Sequence, residues 1–175
     1  MPQSVAFLRA INLGSRRRVA MADLRREFEA LGFDGVSTYI NSGNVIFSTR
    51  RRGRALERDI DERLEAAFGF AIPTYVRTAA ELREVLSAEP FEVRPGDTYT
   101  VAFLPKAPPV AARKAVAALS TDVDELVLIG RELHWRVAGK VMDSTIDLDD
   151  LGRAVGLPTT ARNTTMLRKL VAKLG

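Results

Sequence analysis

Thr38-Tyr-Ile-Asn-Ser-Gly-Asn-Val-Ile-Phe47 is the stretch on which the reading of the fold turns. Val36, Thr38 and Ile40 alternate with their neighbours before a turn, and Val45 and Phe47 alternate after it, so the side-chain period is two on both sides. Between them sits Asn41-Ser42-Gly43-Asn44, a set of residues that tolerate positive φ and hydrogen-bond their own backbone. The pattern predicts a tight β-hairpin with strands near 36–40 and 44–49.

Working outward, Ser4 to Ile11 reads as a strand, followed by the loop Asn12-Leu-Gly-Ser-Arg-Arg-Arg18. Met21, Leu24, Phe28 and Leu31 then recur at helical spacing, and Gly32 stops that helix. After the hairpin, the basic loop Arg50–Arg54 leads into a helix with the apolar stripe Leu56, Ile60, Leu64 and Phe68, and Ile72 to Arg77 forms another strand. The order β-α-β-β-α-β predicts a ferredoxin-like (split βαβ) arrangement, with both helices on one face of a four-stranded antiparallel sheet. A linking helix, Ala79 to Ser87, follows, and Pro90 and Pro95 mark a boundary.

The pattern then begins again. Tyr99 to Leu104 reads as a strand, Val110 to Leu119 as a helix, Glu125–Ile129 and Leu133–Val137 as a hairpin turning at Gly130-Arg131, and Ser144 to Val155 as a helix. No clear fourth strand is visible, and the chain closes with a helix from Thr164 to Leu174. The expected architecture is therefore α+β: two consecutive ferredoxin-like halves, the second incomplete and closed by a C-terminal helix. The expected domains are residues 1–90 and residues 96–175, the latter smaller.

The composition narrows the class. The chain has 175 residues, of which 46% are hydrophobic and 27% charged, ordinary for a globular protein with a real core. Its net charge is +4 and most of its basic residues are arginine, a modest excess that does not by itself define a nucleic-acid partner. With no cysteine, disulfides, thiol nucleophiles, zinc ribbons and iron–sulfur clusters are excluded, which suits a cytoplasmic protein. There is no run of about 18 apolar residues, so no membrane span is expected. The first strand begins almost at once, leaving no room for a signal peptide.

The topology also places the polar loops. The first strand ends where the first loop begins, and the hairpin turn returns to that same end. Asn12, Arg16, Arg17, Arg18, Asn41, Ser42 and Asn44 are therefore expected at one edge, beside the N-terminus of the first helix with its unpaired N–H groups. Backbone donors, guanidinium forks and small amides converging there would suit phosphate or carboxylate. Turn chemistry alone also accounts for Asn41–Asn44, and three arginines in a loop also suit a solvated surface. Arg50–Arg54 reads as a soluble connection. Arg9 shares a period-two face with Phe7 and Ile11, so it either pairs with a buried acid or opens into a cleft.

Other chemistry finds little support. His134 is the sole histidine, which argues against a metal site or a Ser-His-Asp triad, and its neighbour Trp135 is expected to fill core or interface space. Asp143, Asp147, Asp149 and Asp150 sit where they would cap a helix. There is no phosphate-binding glycine loop and no nucleophile elbow, so no cofactor or metal is expected. Phe7 and Phe47 lie on the central strands, where an RNA-recognition motif carries its exposed aromatics, but their apolar flanks favour core or interface.

Val5-Ala-Phe-Leu-Arg-Ala-Ile-Asn12-Leu-Gly14, Met21-Ala-Asp-Leu24, Leu31-Gly-Phe33, the hairpin stretch, Pro73 to Arg77, Ala80-Glu-Leu82, Pro90-Phe91 and Gly156-Leu-Pro-Thr-Thr-Ala-Arg-Asn163 together resemble the bacterial family named domain of unknown function 1697. The resemblance runs nearly the length of the chain. It implies a soluble bacterial protein of ferredoxin-like halves and brings no activity with it. Family-typical residues retained here are Arg9, Asn12, Gly14, Tyr39, Asn41, Ser42, Gly43, Asn44, Arg162 and Asn163. Thr164 stands where the family usually carries an aromatic, so any ligand stacking at that position would differ.

These readings converge on a non-enzymatic module that binds an anionic ligand, either nucleic acid or a phosphorylated small molecule, through Arg9, Asn12, Arg16, Arg17, Arg18, Asn41, Ser42, Asn44, Arg162 and Asn163. Asn163 also fits a helix N-cap. The competing readings are an enzyme of unknown reaction, relying on arginine, carboxylates, Tyr39 or Tyr75 in a pocket between the halves, and a protein that homodimerises through an open sheet face.

Overall fold

The computed structural model describes residues 1–40 and 43–175. The chain divides into two compact units, Met1–Arg83 with Leu170–Gly175, and Glu84–Lys169.

The first unit is built from β1 (Gln3–Leu8), α1 (Met21–Ala30), β2 (Asp34–Thr38), β3 (Asn44–Ser48), α2 (Gly53–Phe68) and β4 (Thr74–Thr78). Its strands form one antiparallel sheet in the order β2-β3-β1-β4, the split-βαβ arrangement. Both helices cover one face. Ala6, Leu8, Val45, Phe47 and Val76 of the sheet pack with Leu24 and Phe28 of α1 and with Leu56, Ile60 and Leu64 of α2. Phe28, Phe33 and Phe47 fill the centre as a tilted triplet, with centroids 4.7–6.0 Å apart. Gly69 ends α2 in the left-handed conformation, φ 80°.

The hairpin forms, with Thr38 opposite Val45 and the Tyr39 amide bonded to the Asn44 carbonyl at 2.9 Å. Asn41 and Ser42, on which the reading of its turn rests, lie outside the described residues. Gly43 explains itself: at φ +77° its Cα faces Leu8 and Ile11 so closely that a Cβ would lie 3.1 Å from each, while its carbonyl accepts the Leu8 amide at 2.8 Å. β1 ends at Leu8, earlier than its apolar run, because Ala10 (φ 56°) and Asn12 (φ 55°) turn the chain out of the sheet. Ile11 thereby joins the helix-side core, and Arg9 is exposed; the period-two placement of Arg9 with Phe7 and Ile11 ends with the strand.

The second unit contains β5 (Thr98–Phe103), α4 (Val110–Ala117), β6 (Asp124–Ile129), β7 (Glu132–Val137), α5 (Leu148–Val155) and β8 (Thr160–Asn163). Two further helices, α3 (Ala79–Ser87) and α6 (Thr164–Val171), run across the two division points of the chain. The second sheet has the order β6-β7-β5-β8, so both halves share one connectivity. The fold class is therefore as expected, α+β with paired split-βαβ halves and a C-terminal helix. The second half is nonetheless complete: β8 pairs with β5 from Thr100–Asn163 to Phe103–Thr160. Four residues, mostly polar and just past Pro158, leave no apolar alternation to read.

α5 starts at Leu148 rather than near Ser144. The buried carboxylate of Asp124 takes the preceding residues instead, accepting the Ser144 hydroxyl at 2.7 Å and the Thr145 amide at 3.0 Å. Asp147 then caps the helix through the amides of Asp149 and Asp150. Among the described residues, no helix is long and apolar enough to cross a membrane.

Candidate functional site

The loop after β1 is folded by one side chain. Asn12 donates its Nδ2 to the Val19 carbonyl and accepts the Val19 amide on Oδ1 at 2.9 Å, while its own amide bonds to the Arg17 carbonyl. Leu13 and Arg16 bridge inside this small hairpin. Gly14 (φ 62°) and Arg17 (φ 53°) take left-handed conformations at its tip, and the Arg17 guanidinium lies 5.6 Å from the centre of the Phe70 ring.

Fixing Val19 fixes the start of α1. Its N-cap position is Ala20, which has no side-chain acceptor, so the first-turn N–H groups of the helix carry no side-chain cap. A shallow cavity of about 470 Å³ opens at this point, lined by Asn12, Gly14, Arg18, Val19 and Met21. Arg16, Arg17 and Arg18 are all exposed. Among the described residues no carboxylate lies within ion-pairing distance of these three arginines. The arrangement can offer charge and directed N–H donors to an anion.

The other expected residues fall out differently. Asn44 is fully buried and its Nδ2 donates to the Tyr39 carbonyl at 2.9 Å, so this amide serves the hairpin. Arg9 stands exposed past β1, its amide bonded to the Pro73 carbonyl. Arg162 and Asn163 belong to the second unit, on β8. The Arg162 guanidinium donates to the Thr160 hydroxyl and the Ala161 carbonyl, and burial pushes its pKa down to about 10. Asn163 accepts the Thr165 amide at 2.8 Å, the N-cap bond of α6. Thr164 is buried and donates its hydroxyl to the Tyr99 carbonyl at 3.0 Å. Phe7 and Phe47 are both fully buried and present no stacking surface.

His134 is buried on β7, with its Nδ1 2.5 Å from the Tyr99 hydroxyl. Burial drives the two apart in protonation, lowering His134 to about 4 and raising Tyr99 to about 12. At neutral pH both are uncharged. Among the described residues, no group of three or more histidine and acidic side chains is placed to hold a metal ion.

One feature escapes the sequence reading. On the helix side of the second sheet, a cavity of about 390 Å³ separates α5 from β5, β7 and β8, with Trp135 and Leu133 on its floor and Gly152 in its wall. The available signal was Gly152 itself, a glycine in the middle of an amphipathic helix.

Two split-βαβ units, each a four-stranded antiparallel sheet with its strands in the same order, define an α+β protein of paired ferredoxin-like halves. The family model described as "Protein of unknown function (DUF1697)" matches residues 1–134, and the chain belongs to that family. Among solved structures, a conserved bacterial protein from Streptococcus pneumoniae is similar over 98% of this chain and 97% of its own, with a TM-score of 0.74 at 21% identity. That likeness concerns the fold. No curated protein matches the chain.

Proposed function

We propose that this protein is a non-enzymatic cytoplasmic binding module for a phosphate-bearing ligand, nucleic acid or phosphorylated small molecule, held by the Asn12–Arg18 loop at the start of α1. The observation that carries this reading is the set of three exposed arginines, without acidic partners among the described residues, beside a helix N-terminus that has no side-chain cap. An anion there would gain guanidinium hydrogen bonds and the positive end of the helix dipole together. Asn12 acts as the brace of the loop, since both polar ends of its side chain are committed to Val19. Asn44 braces the neighbouring hairpin through its Nδ2, donated to the Tyr39 carbonyl.

The test is a thermal-shift screen against nucleotides, sugar phosphates, and short RNA and DNA at low and moderate salt. A ligand at 100 times its Kd stabilises by about 2.7 kcal/mol, ample to detect. The expected result is a stabilisation that shrinks as salt rises and vanishes when Arg16, Arg17 and Arg18 are all changed to Ala. Absence of any salt-sensitive shift across the panel would overturn the anionic reading in favour of a protein-interaction role.

A further inference from the structure

Three observations meet at the cavity beneath the second sheet. First, its lining carries no charged side chain: Leu133, Trp135 and Ala161 line it from the sheet and Leu151 and Val155 from α5, with Thr100 and Thr159 as the polar points. The indole N–H is already given to Asp124 at 2.9 Å, so Trp135 offers the space its apolar surface.

Second, Gly152 has no backbone reason to be glycine. It lies inside α5 without a positive φ, and a Cβ built on it meets nothing within 4 Å. Glycine at such a position weakens a helix relative to alanine. Here it lines the cavity, with open space where a side chain would be.

Third, large apolar side chains are exposed where a ligand would enter. Val141 is 60% exposed and Leu148 67%, both on the cavity lining, and Met142 beside them is 83% exposed. Apolar surface rimming an apolar cavity marks a ligand entrance more readily than a packing defect.

We propose that this cavity is a binding site for an uncharged, hydrocarbon-rich small molecule. A cavity of about 150 Å³ takes one benzene ring, so 390 Å³ accommodates a ligand of about 15 non-hydrogen atoms. The site is separate in residues and in chemistry from the arginine loop, and stands or falls independently of it.

The sole tryptophan supplies the readout. The full-length protein is titrated with N-phenyl-1-naphthylamine, a neutral aromatic probe of the right size, while Trp135 emission and probe emission are followed. Saturable one-to-one binding with quenching of Trp135, insensitive to salt and unchanged in the Arg16, Arg17, Arg18 to Ala variant, is expected. Gly152→Leu, which grows a side chain into the open space, should weaken binding at least tenfold while the melting temperature holds or rises. Ala161→Leu, which narrows the cavity from the sheet side, guards against a folding failure of the first variant. Binding that survives both substitutions in folded protein would overturn the proposal. So would an absence of saturable binding, or a concentration-dependent dimer that Gly152→Leu dissociates, which would assign the face to a second copy of this chain.

Discussion

The carboxylate of Glu57, in the second turn of α2, accepts the backbone amide of Val76 at 2.8 Å. β4 is an edge strand, and its outward N–H groups at 74, 76 and 78 would otherwise be unpaired. Each meets a carboxylate: Asp61 at Thr74 (2.8 Å), Glu57 at Val76, and Glu81 at Thr78 (2.7 Å). The sheet edge is closed by side chains instead of another strand.

Glu57 is nearly fully buried and also accepts from Arg54 at 2.6 Å. Glu57→Ala leaves the Val76 amide without its acceptor in a dry setting and should cost about 2–4 kcal/mol. Glu57→Gln keeps an acceptor and should cost about 1 kcal/mol. Urea unfolding midpoints of the two variants against the parent check the difference; equal losses would contradict the edge-closing role.

Asp61 gives that edge a pH dependence. Burial raises its pKa from 3.8 to about 6, with Glu57 adding repulsion, against the lowering effect of the Thr74 hydrogen bonds. A raised carboxyl pKa means that the folded state favours the proton. The contribution is fully present below pH 3.8 and lost as pH rises through 6, a change of up to about 3 kcal/mol. Asp61→Asn keeps the acceptor for Thr74 without the charge. It should therefore stabilise the protein at pH 8 and make little difference near pH 4, read from guanidinium melts at both values.

His134 works in the opposite direction. Its folded pKa, about 4, lies below the ordinary 6.5, because burial disfavours the imidazolium. The associated stability is complete above pH 6.5 and is lost as pH falls through 4, again up to about 3 kcal/mol. His134→Gln should flatten the acid limb of the stability profile between pH 6.5 and 4, whatever it costs at pH 7. A variant whose acid limb matches the parent's would remove His134 as the source.

Gly43→Ala tests the close approach at the hairpin. The new Cβ would sit 3.1 Å from Leu8 Cβ and Ile11 Cδ1 on a backbone at φ +77°. Steric and conformational strain together should cost about 2–3 kcal/mol, seen as a lowered melting temperature. Gly14→Ala has a positive φ but open space around it, so it should cost less, about 1 kcal/mol.

Much of this architecture can be read from periodicity. The α2 stripe of Leu56, Ile60 and Leu64, the hairpin at Gly130-Arg131 and the pairing of strands around Val45 and Phe47 are all carried by local pattern. What escaped depends on long-range partners. β8 exists because β5 offers it an edge, and Asp124 delays α5 from across the unit. Asn12 illustrates the same limit at the candidate site: its type suits ligand contact, yet the fold spends both ends of its amide on Val19. Arg16, Arg17 and Arg18 were placed by topology alone, since loop position follows from strand order. The second cavity is a property of volume, which a one-dimensional pattern does not record.

The two halves share a connectivity and differ in what lies between sheet and helices. Three phenylalanines pack there in the first, whereas the second keeps an open apolar cavity beside Gly152. A molecule that fills this cavity in the folded state alone adds its binding free energy to the stability of the half that holds it. The stability of the second half, read at Trp135, should therefore depend on what occupies the cavity, and that of the first should not. The same order of strands would then carry one half of fixed stability and one whose stability follows its occupant.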